Sequence, residues 1–326
     1  VAETWTLCGA LNRALHDSLA DDPRVLVFGE DVGKAGGIFG VTDGLQNEFG
    51  PNRVFDTPIS ESAIVGAAVG LALAGWKSVV EMQYGAFSYP ALEQVIDHVA
   101  KMRGRVRGRI EMPITIRMPA FGGLNSKEQH GESPETYYVH TAGLKVAVPS
   151  NPSDGYAMLR IAVADPDPVI FLEPKALYRT DGPVKAQPDE PAIGRARIVR
   201  EGDACTIITY GVMVARSVEA AELLARESIE VRVVDLRWLS PIDDELLARC
   251  IHETGRIVLV HEAPRTLGLG SEIAARAMEL GFAHLRAPVA RVTGWDVPYP
   301  PASLEAFYQP SVDRIAGAVR RTVSFR

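Results

Sequence analysis

The chain has 326 residues, 47% of them hydrophobic and 23% charged, with a formal net charge of −7. That length is too great for one ordinary core and predicts two domains. The negative charge argues against nucleic acid as the main partner, and no apolar run reaches the roughly 18 residues that a membrane span needs. The three cysteines, Cys8, Cys205 and Cys250, are odd in number, far apart and without metal-ligand spacing. Reduced thiols in a cytoplasm-like compartment are therefore expected. The opening residues show no basic segment followed by an apolar one, so no secretion signal is expected.

In chain order, β-branched runs alternate with longer helical stretches. Residues 25–28 predict a strand. The turn Thr57-Pro58-Ile59-Ser60 opens a helix over 61–74, with Ser60 as its N-cap. A strand at 78–83 and a helix at 90–103 follow, then strands at 113–117 and 144–148. Asn151-Pro152-Ser153-Asp154 starts a helix that runs to about 164, and a strand at 169–172 closes this half.

Residues 181–194 are rich in Pro, Gly and charge and predict a linker, which separates a domain at 1–180 from one at 195–326. Beyond it strands are predicted at 205–209, 231–235, 257–260 and 289–292. Helices are predicted at 214–227, 243–253, 270–280 and 312–323. Such alternation predicts an α/β fold, with a mostly parallel sheet covered by helices in each half. Ligands of such sheets gather at the carboxyl ends of the strands.

Local catalytic signatures are scarce. There is no Gly-x-Ser-x-Gly elbow and no phosphate loop, and Gly268-Leu269-Gly270 reads as a helix start. Four segments place polar or aromatic groups just past strand ends. They are Gly29-Glu30-Asp31-Val32-Gly33, Asp56 to Glu61, the aromatic stretch Gln83 to Pro90, and Gln129-His130-Gly131-Glu132-Ser133-Pro134-Glu135. Each alone has an ordinary explanation: a solvated turn, a carboxylate on a helix dipole, core packing, or an exposed histidine.

In this order, the four segments resemble one family. Further blocks carry the same likeness: Ala100-Lys101-Met102-Arg103, Gly143-Leu144-Lys145-Val146, Asp167 to Lys175, and Arg291 to Pro300. The chain resembles the β subunits of thiamine-diphosphate-dependent 2-oxo acid dehydrogenases, the decarboxylating first component of the pyruvate and branched-chain 2-oxo acid dehydrogenase complexes. That resemblance implies a pyrimidine-binding domain with a mostly parallel sheet, followed by a transketolase C-terminal-like α/β domain.

It also implies roles for single residues. Glu61 matches the acid that hydrogen-bonds the aminopyrimidine ring and promotes proton removal from the thiazolium carbon; enclosure is expected to raise its pKa. Phe87 matches the aromatic that stacks on that ring. Ile59 and Glu30 match positions lining it, Glu30 as a proton-relay partner of the acid, and Gln83 lies near the substrate. His130 matches a histidine that serves decarboxylation or acyl transfer to the lipoyl group, although Gly131 and Glu132 depart from the usual flank. Ile114, Ala162, Asp165 and Asp167 match a monovalent-cation loop, with potassium as the ion.

The family's diphosphate and magnesium motif, Gly-Asp-Gly with a later Asn, has no counterpart here. Thr42-Asp43-Gly44-Leu45-Gln46-Asn47 has the wrong spacing and no leading glycine. By resemblance an α subunit holds the diphosphate and Mg2+, in an α2β2 heterotetramer that serves a lipoyl-bearing acyltransferase core. Neither nucleic acid nor a membrane is expected as a partner, and the bacterial cytoplasm is the expected location. The stretches Asn151 to Tyr156 and Glu173 to Tyr178 look closest to bacterial branched-chain members. Pyruvate or acetoin is the alternative substrate. A self-sufficient homodimeric transketolase-like enzyme and a non-catalytic scaffold are remoter alternatives.

Overall fold

The computed structural model describes residues 3–125, 127–184 and 192–326. Contacts divide the chain into two compact units, Val1–Ala120 with Tyr137–Ile193, and Phe121–Thr136 with Gly194–Arg326. The segment Phe121–Thr136, which chain order placed in the first domain, thus belongs with the second unit. Of the expected linker, 181–184 forms a strand, and 185–191 lies outside the described residues.

The first unit is built on strands β1 (Glu3–Thr6), β2 (Val25–Gly29), β3 (Val54–Asp56), β4 (Lys77–Glu81), β5 (Ile114–Ala120), β6 (Lys145–Ala147), β7 (Val169–Pro174) and β8 (Asp181–Val184). Its main sheet runs β6-β7-β5-β4-β2-β3 with every pairing parallel. β2, β5 and β7 are buried along their whole length, as strands covered on both faces must be. β1 and β8 form a separate antiparallel pair.

The helices of this unit are α1 (Leu7–Asp21), α2 (Leu45–Phe49), α3 (Glu61–Leu73), α4 (Met102–Arg105), α5 (Glu135–Val139, which opens in the second unit) and α6 (Pro152–Ala164). The sequence reading had no element at α1. Its signal was nonetheless present: Leu7, Leu11, Ala14, Leu15 and Leu19 repeat on one face, and Thr6 caps the helix through the Gly9 N–H. α1 packs on α6, where a Cβ at Gly155 would stand 2.4 Å from Leu7 Cδ1. Asn151 caps α6 as expected by accepting from the Asp154 N–H. Ser60 holds the N-cap position of α3 but makes no capping hydrogen bond. The helix expected at 90–103 is instead a 3-10 turn, Gly85–Ala91, then a π-helical turn, Gln94–Val99, then α4.

The second unit carries β9 (Arg197–Arg200), β10 (Cys205–Thr209), β11 (Val231–Asp235), β12 (Trp238–Ser240), β13 (Ile257–Val260) and β14 (Ala290–Val292). With them come α7 (Met213–Ala225), α8 (Asp244–Thr254), α9 (Leu269–Gly281), α10 (Glu305–Tyr308) and α11 (Val312–Val323). Its sheet runs β14-β13-β10-β11-β9, parallel except for β9. The core joins Ile207, Val233, Val258 and Ile315, among others. α9 begins at Leu269, directly after Gly268, in line with the helix-start reading. Cys8, Cys205 and Cys250 are free thiols. No described helix is long and apolar enough to cross a membrane.

Candidate active site

Strand order places the first group of residues. From β2 the chain passes to β3 on one side and then to β4 on the other, so the connections leaving β2 and β4 diverge. Between diverging connections a parallel sheet leaves a crevice at the strands' carboxyl ends. The register sets Gly29 beside both Asp56 and Glu81. Glu30 and Asp31 follow β2, Gln83 follows β4, and Thr57 to Glu61 lead from β3 into α3. Gly29 is needed for this closeness, because a Cβ there would sit 2.6 Å from the Glu81 carbonyl oxygen. Thr57 N–H closes the corner by donating to the Gly29 carbonyl at 2.9 Å.

Within this group the carboxyls differ. Glu30 is 7% exposed, and its Oε1 is buried without a hydrogen-bond partner among the described residues. Burial, then repulsion from Glu61 and Asp31, pushes its pKa above the ordinary carboxylate value. Glu61 is half-buried in the first turn of α3. Asp31 sits in the left-handed region at φ +58° and accepts from Gln83 Nε2 at 3.0 Å. Ile59 is 82% exposed at the rim. Phe87 is half-buried and packs edge-on against Tyr84, with ring centres 5.2 Å apart. Glu30, Ile59, Glu61, Gln83 and Phe87 therefore all belong to the first unit, four of them on the segments that leave β2, β3 and β4.

Two supports had no role assigned from the sequence. Asp56 accepts from the Gly33 N–H at 2.6 Å and pins the loop after Glu30; a Cβ at Gly33 would stand 2.4 Å from Gln46 Nε2. Beneath the strand ends Arg117 is fully buried between Glu81 (2.7 Å) and a two-pronged bond to Glu173 (2.7 and 2.9 Å). Tyr178 donates to the same Glu173. A lone arginine inside the apolar run of β5 was the available signal, because a buried guanidinium needs carboxylate partners.

His130 is placed by the second unit. It ends a 3-10 turn, Glu128–His130, on the segment Phe121–Thr136. Here too the sheet has a crevice where connections diverge, between β10 and β13. Tyr210 and His261 follow those strands and stack with ring centres 6.3 Å apart. Tyr210 donates to the buried Glu135 at 2.6 Å and so ties down one end of the segment. The other end is clamped by Glu305, whose carboxylate accepts from the N–H groups of Gly123 (2.8 Å) and Asn125 (2.7 Å). Tyr299 donates to the same carboxylate. Its ring lies against Gly122 and Gly131, where Cβ atoms would come within 1.9 and 2.2 Å. The glycine beside His130 is thus required by Tyr299. Phe121 adopts φ +69°, a strained value for a bulky residue.

At the expected cation loop, Lys145 Nζ lies 2.7 Å from Asp165 Oδ1 and 3.1 Å from Asp167 Oδ2, and Arg103 pairs with Asp167. Burial opposes ionisation of Asp167, but Lys145 and Arg103 outweigh it and hold the carboxyl below its usual range. The chain's own cations thus take up the carboxylates expected as ligands. Ile114 is buried at the start of β5, and the Ala162 carbonyl accepts from the Asp165 N–H at 3.3 Å. Among the described residues no group of three or more His, Cys, Asp or Glu could hold a metal ion.

Comparison with known proteins identifies the two domains. Residues 4–181 match the transketolase pyrimidine-binding domain and 194–315 the transketolase C-terminal domain. The chain is 49% identical to the 3-methyl-2-oxobutanoate dehydrogenase subunit beta of Mycobacterium tuberculosis, over 99% of this chain and 93% of that protein. It is 46% identical to the pyruvate dehydrogenase E1 component subunit beta of Leifsonia xyli, over 97% and 94%. It is 41% identical to the 2-oxoisovalerate dehydrogenase subunit beta of Pseudomonas aeruginosa, over 98% and 95%. Among solved structures it resembles a split-gene transketolase described as an inactive beta4 tetramer, with a TM-score of 0.79, 25% identity and 98% of each chain covered. The pyrimidine-binding domain and the relatives imply dependence on thiamine diphosphate. The two domain matches and the near-full-length similarity together show that the chain belongs to the transketolase-like family of 2-oxo acid dehydrogenase β subunits.

Proposed function

We propose that this chain faces the pyrimidine side of thiamine diphosphate in an enzyme that oxidatively decarboxylates a branched-chain 2-oxo acid and acylates a lipoyl group. The observation that carries the reading is the buried carboxyl of Glu30, repelled by Glu61, at the crevice between β2 and β4. Glu30 Oε1 is buried and without a partner, as expected of an atom awaiting a ligand or a shared proton. The rim fits a flat heteroaromatic ring: Ile59 is largely exposed, Phe87 offers an aromatic surface, and carboxyls stand at the edge.

Bound thiamine diphosphate supplies the carbanion chemistry. The chain's residues orient and move protons around it. Glu61 accepts a hydrogen bond from the ring at its carboxylate. Glu30, with its raised pKa, holds a proton more readily than a solvated acid and can relay it to Glu61. Ile59 and Phe87 exclude water, and Gln83, oriented by Asp31, faces the substrate. His130 serves transfer of the acyl group to the lipoyl sulfur.

An α subunit completes the site by holding the diphosphate and Mg2+, in an α2β2 assembly that serves an acyltransferase core in a bacterial cytoplasm. Helix α3 supports this. It carries charge only at Glu61, yet Ala63, Ala67, Gly70 and Leu73 are exposed. A helix apolar on all sides calls for cover. Potassium near Ile114, Ala162, Asp165 and Asp167 would have to bind mainly through backbone carbonyls, since Lys145 and Arg103 engage the carboxylates.

The branched-chain substrate rests on the 49% and 41% relatives, and pyruvate, supported by the 46% relative, is the second reading. Purification with the co-expressed α chain decides between them. A higher kcat/KM for 3-methyl-2-oxobutanoate than for pyruvate supports the first. Turnover by this chain alone with thiamine diphosphate and Mg2+ would overturn the two-subunit reading.

A further inference from the structure

The second unit contains a cleft of about 310 Å3 that the site above does not use. Arg265, Arg291, Arg314 and Arg321 line it, together with Trp295. None of the four guanidiniums forms an ion pair with a described carboxylate. Arg314 spends its donors on the carbonyls of Tyr308, Gln309 (3.2 Å each) and Thr293 (2.6 Å). Arg291 donates to the Arg265 carbonyl at 3.2 Å and to Ser271 Oγ at 2.6 Å. Both side chains are half-buried, so two positive charges are partly removed from water and met only by neutral dipoles. Burial already pushes the Arg314 pKa below its ordinary value.

Of the two acids at the cleft, Asp296 attracts Arg265 but forms no ion pair with Arg291 or Arg314. Asp296 is occupied by the Thr266 N–H and hydroxyl, both at 2.8 Å, and Asp313 is exposed in the first turn of α11. Arg314 and Arg321 lie two turns apart on the same face of α11, and Gly317 between them leaves room for the Arg321 guanidinium, whose Nη1 would stand 3.5 Å from a Cβ there. This concentration of positive charge sits on a chain whose net charge is −7.

We propose that this cleft binds a phosphate-bearing small molecule of about nucleotide size. Guanidinium forks match phosphate oxygens and tolerate partial burial better than ammonium groups do. The volume lies at the lower end of small-molecule sites, about 300–1,000 Å3, and exceeds what a bare phosphate fills. Trp295 supplies a ring surface. It is 53% exposed, is fixed by its Nε1–H bond to the Phe307 carbonyl (2.9 Å), and carries Arg314 at 4.5 Å on its face. Phosphates would meet the arginines while a planar group lies along the indole.

The cleft lies wholly within the second unit, so occupancy is measured without turnover. The test uses the assembled enzyme, saturated with thiamine diphosphate and Mg2+ so that the cofactor's phosphate site is filled. ADP, pyrophosphate, adenosine and a glutamate-rich peptide are titrated by calorimetry and by tryptophan fluorescence. The expected result is one saturable ADP site per chain, weaker binding of pyrophosphate and none of adenosine. Arg291→Gln and Arg314→Gln should each weaken ADP at least tenfold. Trp295→Phe should remove the fluorescence response while calorimetric binding persists. The Arg321 guanidinium makes no hydrogen bond among the described residues, so Arg321→Gln leaves the fold intact and should weaken ADP about threefold with decarboxylation unchanged. Absence of saturable ADP binding at millimolar concentration overturns the proposal. So does equal binding by all three arginine variants, and so does binding of the acidic peptide alone, which would make the cleft a protein-docking surface.

Discussion

The crevice at β2 and β4 and the segment Phe121–Thr136 place the proposed functional groups in opposite ways. In the first, parallel register does the positioning, and the acids themselves carry few bonds: Glu30 keeps a buried oxygen without a partner. In the second, an irregular segment is tied down at both ends, by Glu305 on two backbone N–H groups and by Glu135 on Tyr210, with Tyr299 packed against two glycines. A regular sheet can leave its functional atoms unsatisfied because the backbone ladder supplies the stability. A loop has no ladder, so side chains must hold it, and little freedom is left for its other residues.

The largest expected effect tests the first region. Glu61→Gln, assembled with the α chain, should lose decarboxylation by about 100- to 10,000-fold, the range for removing a positioned acid–base group. Assembly, measured by size-exclusion chromatography, should be intact. Unchanged activity would favour a scaffold role and erase the contrast between the regions.

Next comes the clamped segment. His130→Ala should reduce transfer to lipoamide more than decarboxylation measured with an artificial electron acceptor. Glu305→Gln should reproduce that imbalance more weakly, about tenfold, by loosening a charge-assisted clamp. Hydrogen exchange should rise at Gly123 and Asn125. Equal loss in both assays for both variants would mean that the segment is structural only.

A smaller effect concerns the cation loop. Lys145→Met leaves Asp165 and Asp167 with one cation fewer and should lower stability by about 1–2 kcal/mol, or about 2–8 °C in Tm, discounted because Asp167 is partly exposed. The Asp167 pKa is depressed in the folded chain. Its contribution is therefore present above the unfolded carboxylate range and is lost as pH falls through the folded value. The gap in Tm between wild type and variant should accordingly close below about pH 4.

The smallest effect returns to Glu30. Its folded pKa is raised by burial and by Glu61, so ionisation weakens folding as pH rises through that value. Glu30→Gln should give an equal or slightly higher Tm at pH 7 together with reduced decarboxylation. A lower Tm would show that Glu30 stabilises the crevice instead of straining it.

Much of this was legible in the residues. The strands at 205–209, 231–235 and 257–260 and the helix at 312–323 coincide with the observed elements. Their apolar patterning is nearly sufficient because buried parallel strands and amphipathic helices have sharp signatures. Glu30, Glu61 and Gln83 were legible as polar groups at strand ends. Less legible was what holds them. The partners of Arg117, Glu81 and Glu173, lie 36 and 56 residues away. Glu305 reaches back 182 residues to Gly123. No local pattern encodes pairings at that separation.

The sequence by itself thus determined the alternating α/β plan and the family blocks, since those depend on short-range periodicity and on residue chemistry. Only the tertiary structure decided that the segment bearing His130 belongs to the second unit, that burial raises the pKa of Glu30, and that Lys145 and Arg103 occupy the carboxylates expected to bind an ion. Each of these depends on which distant groups share a volume of low dielectric or a hydrogen bond. Strand order and packing set those neighbours, and they are absent from any stretch of chain taken alone.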